Sequence, residues 1–473
     1  MGSLFSILDS TSQSLQAFDR AMDVTENNVT NANSPGYADQ VPQMISQDFQ
    51  SNGAGVGGGV QEVTQDTRST YADTAVQQQL SLQGMYQQLQ TTLAPLQNVF
   101  DVSSDSAIPS ALNQLFQSFS QWSTDPGSAN FQSAVIDAAQ QTASAFQGAA
   151  NQLGQIQTST NQDIQSTVAQ INQDAGAIQY YNQQIAQNSQ PDAGLSAQLE
   201  NTLENLSSLA NIQVVNGIGG QVTVLLGGQT ALVEGQQVNA IQAGNNTASN
   251  SGNPGAAPLI SIEDSDGNDV TSEITGGSLA GLLSVSNNLL PSLIGGGQQV
   301  GGLNTLAKSL ADSVNNVLAQ GTDSNGNPGT PLFTYNSNAP AGIASTLAVT
   351  SGITGSQLAA ADPGPPSVAN GAANTLAGLD SSGSGPDGEG FTGYFASLTS
   401  TVGNAVNNAN TEATAQSTLV AQAQSLQQKV SGVSLDEEAT RLVELQSSYD
   451  AASKVVTVID DTLQSLMNMI PTP

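Results

Sequence analysis

The chain has 473 residues, enough for several domains and a sizeable core, and its 38 acidic against 6 basic residues leave a net charge of −32. No basic cluster occurs anywhere, so nucleic acid and anionic membrane are poor partners for such a surface. There is no Cys and no His, which excludes thiol chemistry, disulfides, His-centred triads and ordinary structural zinc sites.

The N-terminus, MGSLFSILDS, has no basic n-region, long apolar run or small-residue cleavage site, so no Sec-type signal peptide is expected. No stretch approaches transmembrane length. Met1-Gly2 with Ser6 formally matches a myristoylation signal but reads as a plain N-terminus. The first helix is predicted over 4–32. Leu8, Leu15, Met22 and Val29 hold one heptad position, and Leu4, Phe18 and Ala32 most of the other, with Thr11 and Thr25 interrupting. Asn33-Ser34-Pro35-Gly36, dense in turn formers, ends it. An extended segment follows. Its Gly53–Gly59 run lacks the Lys-Ser/Thr ending of a phosphate-binding loop and reads as a flexible linker.

Helical patterning resumes over 67–100 and 107–122, the second stopped by Asp125-Pro126-Gly127, and a long helix is predicted over 129–187. In its second half Ile164, Ile171, Ile178 and Ile185 sit seven apart, with Val168 and Ala175 between them, another coiled-coil face. A short helix over 195–209 precedes a change of period at Ile212, where Ile212–Val215 and Val222–Leu226 read as a β-hairpin. Alternation continues through Ala231–Val233 and Pro258–Ile262. Helix returns from Ser278 to about Leu318, interrupted at Pro291 and Gly295–Gly297. Residues 321–390 are rich in Gly, Pro, Ser and Asn, with one candidate strand at Thr346–Thr350.

Phe391–Gln428 is again helical, and Ser434 with Glu437 has the capping-box spacing that starts a terminal helix. On that helix Leu435, Leu442, Tyr449, Val456, Leu463 and Ile470 recur every seven residues, and Leu445, Ala452, Ile459 and Leu466 fill the second heptad position. An apolar stripe on a lone helix stays wet, so each chain end requires a partner. The expected fold is mainly α with a small inserted β-domain: paired terminal coiled-coil helices, a central helical bundle and an antiparallel β-domain. The corresponding segments are 1–66 (inner core, N-terminal), 67–211 (bundle), 212–277 (β-domain), 278–390 (helical return and irregular outer segment), 391–432 (bundle) and 433–473 (inner core, C-terminal).

Candidate chemical sites weigh little. Asp264-Ser265-Asp266-Gly267-Asn268-Asp269 superficially resembles a calcium loop, but its glycine is fourth, not sixth, and no Glu stands twelfth; a solvated hairpin turn is expected. Asp323–Asn327 reads the same way. Asp436, Glu437 and Glu438 suit the positive end of a helix dipole. Glu200 and Glu204, one turn apart, are expected on a solvated face. Trp122, at helical spacing from Phe116 and Phe119, is expected in the core. No catalytic residue, cofactor or metal is expected.

Asn27, Asn28, Asn31, Asn33, Pro35, Gly36 and Tyr37, at the end of an N-terminal helix, resemble the signature of flagellar rod, hook and hook-associated subunits. Asn27, Asn28, Asn31 and Asn33 are more polar than a helix stop requires, so intersubunit hydrogen bonding is expected there. Ser431-Gly-Val-Ser-Leu435-Asp-Glu-Glu438, followed by Leu442, Leu445, Gln446 and Tyr449, is similar to the C-terminal signature of the first hook-associated protein family. Gly53–Val60, Arg68-Ser-Thr-Tyr71, Ser278–Leu283 and Asp323–Asn327 before Leu332-Phe333 also have counterparts in that family, whereas 336–390 departs from it. The resemblance implies a non-enzymatic subunit at the hook–filament junction, exported by the flagellar type III apparatus. It implies partners in further copies of the chain, the hook protein, the second junction protein and an export chaperone at the last helix. The alternatives are another axial subunit, or a secreted adhesin or glycosidase on a coiled-coil stalk.

Overall fold

The computed structural model describes residues 2–46, 60–101, 107–187, 192–246, 249, 251, 253–381 and 383–468, with the side chains of 2–6 and of residue 218 left aside. Helix α1 (Gly2–Asn31) ends in the Asn33–Gly36 turn and passes into an antiparallel hairpin, β1 (Gln40–Ser46) and β2 (Val60–Asp66), which packs against α1. This hairpin replaces much of the extended linker expected there. Its apolar alternation is split by residues 47–59, so neither strand announces its partner in sequence. Gly53–Gly59 lies outside the described residues.

Helix α2 (Thr70–Val99) starts where the Ser69 hydroxyl accepts the Ala72 N–H, an N-cap. Helices α3 (Ile108–Thr124), α4 (Ala129–Gln187) and α5 (Ala193–Leu209) follow. A four-stranded sheet then runs in the order β3 (Ile212–Asn216), β4 (Val222–Leu226), β5 (Thr230–Glu234), β6 (Gln237–Val238), and β7 (Gln242–Asn246) pairs with β8 (Leu259–Glu263). Helix α6 (Gly277–Ser284) continues through one π turn into α7 (Leu290–Ile294), and α8 (Gly302–Gln320) completes the return. The irregular stretch holds β9 (Phe333–Thr334) paired with β10 (Ala348–Val349), the short helix α9 (Ile343–Thr346) between them, and α10 (Gly371–Ala377). The long helix α11 (Phe391–Ser431) and the terminal helix α12 (Leu435–Asn468) close the chain.

Two cores hold this together. In the first, Leu112, Leu115, Phe116, Phe119 and Trp122 of α3 pack on α2, α4, α8 and α11, and rings stack across it at 5.9 Å (Phe116–Phe391) and 5.6 Å (Phe100–Phe395). Trp122 is fully buried and donates its indole N–H to the Pro126 carbonyl. Leu332, Phe333, Ile343, Leu347, Leu358 and Leu376 belong to the same core, so the irregular segment 321–390 is partly bundle interior, held by sparse apolar anchors that its Gly and Pro content obscures in sequence.

In the second core, Ile164, Val168, Ile171, Ala175 and Ile178 of α4 meet Leu199, Leu203 and Leu206 of α5 and the inward residues of the sheets, Val224, Leu226, Leu232 and Ile262. The heptad on α4 therefore faces a short helix and a sheet, not a long partner helix. A period of seven selects one face of a helix without specifying what covers it. Among the described residues neither core takes one from α1 or α12.

Candidate assembly site

Helices α1 and α12 lean on each other. Among the described side chains of α1 the buried ones are small or polar: Ala17, Ala21, Thr25 and Asn28, three or four apart. Small side chains let the helix axes approach. Thr25, an apparent interruption, sits in this seam with its hydroxyl bonded to the Ala21 carbonyl at 3.0 Å. On α12 the predicted heptad residues Leu442, Leu445, Tyr449, Ala452, Val456 and Leu463 are half-buried, and Ile459 is 7% exposed.

The larger apolar residues of α1 fare differently. Leu8, Leu15, Phe18 and Met22 are only half-buried, and Val29 is exposed. Leu435, Leu466, Val455 and Met467 are exposed too, as are Val443 (62%) and Val458 (64%) on the outer side of α12. The side chain of Leu4, and Ile470, fall outside the described residues. The pair thus buries a narrow seam inside the chain and leaves broad apolar stripes to water.

A buried polar joint ties this pair to the bundle. Asn28, completely buried, aims its two Nδ2 hydrogens among three acceptors, Asp39 Oδ1 (2.7 Å), the Gln40 carbonyl (2.8 Å) and Glu438 Oε2 (3.1 Å). Its Oδ1 accepts the Tyr37 hydroxyl (2.9 Å) and the Gln40 N–H (3.1 Å). Arg441 pairs with the buried Glu438 and stands 4.0 Å from Asp39. Burial, with the charges of Asp39 and Glu438 adding to it, pushes the Tyr37 phenol up to about 12, and burial raises Asp39 as well. Asn28 therefore uses its hydrogen bonds within the chain. Asn31 also bonds locally, to the Asn27 carbonyl and the Ser34 hydroxyl, while Asn27 and Asn33 are exposed.

The joint continues through Arg68, which donates to the Gly36 carbonyl at 2.6 Å. Gly36 takes φ +73°, and a Cβ there would lie 2.4 Å from the Ala197 carbonyl oxygen of α5, so the motif's glycine allows both the left-handed turn and a close backbone approach. Ser431, at the end of α11, accepts the Asp39 N–H on its carbonyl (2.8 Å) and the Ser69 N–H on its hydroxyl (3.0 Å).

Arg68 also reaches Glu200 (3.7 Å), Asp73 (3.9 Å) and Asp66 (4.0 Å). Gln77 donates to Glu200, and Gln427 to both Asp73 and Glu204. The solvated face expected for Glu200 and Glu204 is corrected here: Glu200 is buried, and burial first, then the neighbouring Asp73 charge, pushes its carboxyl up to about 7. Burial raises Glu204 and Asp73 in the same direction. Sequence spacing alone places two carboxylates on one helical face. Only the fold brings α2, α11 and Arg68 over them.

The acidic loops are self-contained turns. Asp264 accepts the Asp266 and Asn268 N–H groups and the Asn268 side chain, and Asp323 accepts the Asn325 and Asn327 N–H groups. These bonds hold both carboxyls below the usual range. Among the described residues no group of acidic side chains is placed to hold a metal ion, and no helix is long and apolar enough to cross a membrane.

Comparison with known proteins meets this geometry at both places. Residues 93–333, from the end of α2 through the sheets to β9, match the family model of the flagellar hook-associated protein FlgK helical domain. The chain belongs to the FlgK family of flagellar hook-associated proteins. Residues 415–469, the second half of α11 with α12, match the model of the flagellar basal body rod FlgEFG protein C-terminal region. The chain is 26% identical over 513 aligned residues to flagellar hook-associated protein 1 of Bacillus subtilis (strain 168), covering 99% of each chain. Its fold is similar to the structure of the flagellar hook junction protein FlgK from Burkholderia pseudomallei, with a TM-score of 0.65, 18% identity, 76% of this chain covered and 100% of that one. Both ends of the molecule and its bundle thus have flagellar counterparts.

Proposed function

We propose that the chain is a structural subunit of the bacterial flagellum that polymerises at the distal end of the hook and joins hook to filament, without catalytic activity. The observation that carries this reading is the pair of terminal helices, which leave α12 residues such as Val443 and Val458 more than half exposed in a chain of the hook-associated family. Fully burying a Val or Leu side chain is worth about 1.5–3 kcal/mol. Several such positions per subunit supply a driving force that only neighbours can realise.

In this reading 1–66 and 433–473 form the inner core of the assembled axis, 67–211 and 391–432 the bundle around it, 278–390 the helical return that joins this bundle and the irregular segment outside it, and 212–277 the outer β-domain. The contact residues are Leu4, Leu8, Leu15, Phe18, Met22, Val29, Leu435, Leu442, Leu445, Tyr449, Val456, Ile459, Leu463, Leu466 and Ile470, with the Asn27–Tyr37 turn. The partners are further copies of the chain, the hook protein and the second junction protein. An export chaperone covers the apolar stripe of α12 until secretion through the flagellar type III apparatus, and the working location is extracellular.

The test is complementation of a deletion strain with Leu463→Asp, in the seam, and Val458→Asp, on the outer face. Both are expected to leave the bundle folded and to abolish incorporation, Val458→Asp without separating α1 from α12. Normal filaments on cells carrying Val458→Asp would remove the outer stripe from the assembly surface.

A further inference from the structure

The polar joint carries a charge imbalance that the assembly reading leaves unused. One guanidinium, Arg68, stands within 4.0 Å of three carboxylates, Asp66, Asp73 and Glu200, and a fourth, Glu204, is linked to Asp73 by the shared Gln427 amide. Asp73 and Glu200 are buried. Asp66 is exposed and Glu204 half-buried, so the repulsion is strongest between Asp73 and Glu200, two buried carboxylates on one Arg68 nitrogen, and a proton on one of them relieves it.

The same Arg68 holds the Gly36 carbonyl, so the one cation beside these carboxylates is also the strut between the terminal pair and the bundle. We infer that the joint is a proton-held latch: a proton on Glu200 keeps it from repelling Asp73 at the one Arg68 nitrogen they share while the other holds the Gly36 turn, and loss of that proton with rising pH loosens the attachment of α1 and α12 to the bundle.

The groups facing Glu200 support this assignment from every side. From α2 come Asp73 and the Gln77 amide, from α5 itself Glu204, and from the link before α2 the Arg68 guanidinium. Helix α11 turns the neutral Gln427 inward, while its Lys429 is exposed. Helix α6 has no charged residue, and the buried Asp174 of α4 is bonded to Gln170. Beyond Gly36, Tyr37, Asp39, Glu438 and Arg441 form the second half of the joint, and there too carboxylates outnumber the cation. The raised pKa values of Glu200, Glu204, Asp73 and Asp39 all act in one direction.

The latch is tested on the full chain by hydrogen exchange with mass spectrometry at pH 5 and pH 8, corrected for intrinsic exchange rates. The reporters are the peptides carrying the Asp39, Thr67 and Ser69 amides, which bond across the joint; a peptide from the α3 core is the internal control. Protection of the reporters is expected to fall about tenfold from pH 5 to pH 8 in the wild type and to change less than twofold in Glu200→Gln, whose neutral amide keeps the shape without the charge. Equal losses in wild type and Glu200→Gln, or no loss in the wild type, would overturn the latch. If Glu200→Gln does not fold by circular dichroism, Asp73→Asn decides: removing a charge that raises Glu200 must let the proton leave earlier, moving the wild-type midpoint down by about one pH unit, and an unmoved midpoint rejects the proposal.

Discussion

Asn28→Ala is the substitution that probes the joint most sharply. Asn28 is fully buried and its amide meets five polar partners, two donating to Oδ1 and three acceptors sharing the two Nδ2 hydrogens. Truncation leaves the buried Gln40 N–H and carbonyl without the Asn28 amide and takes one partner from the buried Glu438 carboxylate, which keeps Arg441, while the half-buried Tyr37 hydroxyl can turn to water. An orphaned buried neutral group costs about 1–3 kcal/mol, so two of them bring the loss to about 4 kcal/mol. This loss is local, because neither core contains a described residue of α1 or α12. The seam between these helices is mostly half-buried and cannot offset it. Hydrogen exchange of α1 and of the 34–41 turn is therefore expected to accelerate about a thousandfold, each 1.4 kcal/mol being a factor of ten, with the α3 and α4 core unchanged. Asn27→Ala and Asn33→Ala, at exposed positions, should stay within about 0.5 kcal/mol of wild type. Unchanged protection of α1 in Asn28→Ala would refute the assignment of this residue as the tie between the chain ends.

Gly36→Ala forces φ +73° on an L side chain and drives a Cβ to 2.4 Å from the Ala197 carbonyl oxygen; a loss of about 2–3 kcal/mol confined to the joint is expected from exchange of the 34–41 peptide. Trp122→Ala empties the centre of the first core and should lower bundle stability by about 3–5 kcal/mol in denaturant titrations followed by far-ultraviolet circular dichroism. Stability should also depend on pH through Glu200. Its carboxyl lies at about 7 when folded against 4.5 as a free side chain, so the folded state binds the extra proton between these values. Stability is then fully present below pH 4.5 and lost as pH rises to about 7, by roughly 3 kcal/mol for this group. A urea midpoint that rises over that window in wild type, or falls equally in Glu200→Gln, would contradict the assignment.

Much of the fold was legible where period and punctuation agreed. The 59-residue helix α4 runs between the Asp125–Gly127 stop and the residues before α5 as its patterning predicts, and the change of period at Ile212 marks the first β-strand. The β1–β2 hairpin was not legible, because pairing of short strands is a non-local property and thirteen or so residues part them. The hydrophobic anchors of 321–390 were hidden in Gly- and Pro-rich surroundings. At the candidate site the heptads identified the apolar faces of both end helices, yet not which residues close the chain on itself. Large side chains suggested a seam through Leu8, Leu15 and Met22, whereas close approach in α1 is made by Ala17 and Ala21. The roles of Arg68 and Glu200 depend on three elements far apart in sequence, and an Arg-x-x-Tyr spacing carries no sign of a carboxylate more than a hundred residues away.

The central claim, that this chain joins hook to filament, is tested most directly by electron microscopy and motility of a strain deleted for its gene, together with the fate of flagellin. The account predicts non-motile cells with intact hooks, no filaments and flagellin shed into the medium, all reversed by the wild-type gene. Normal filaments on the deleted strain would contradict it.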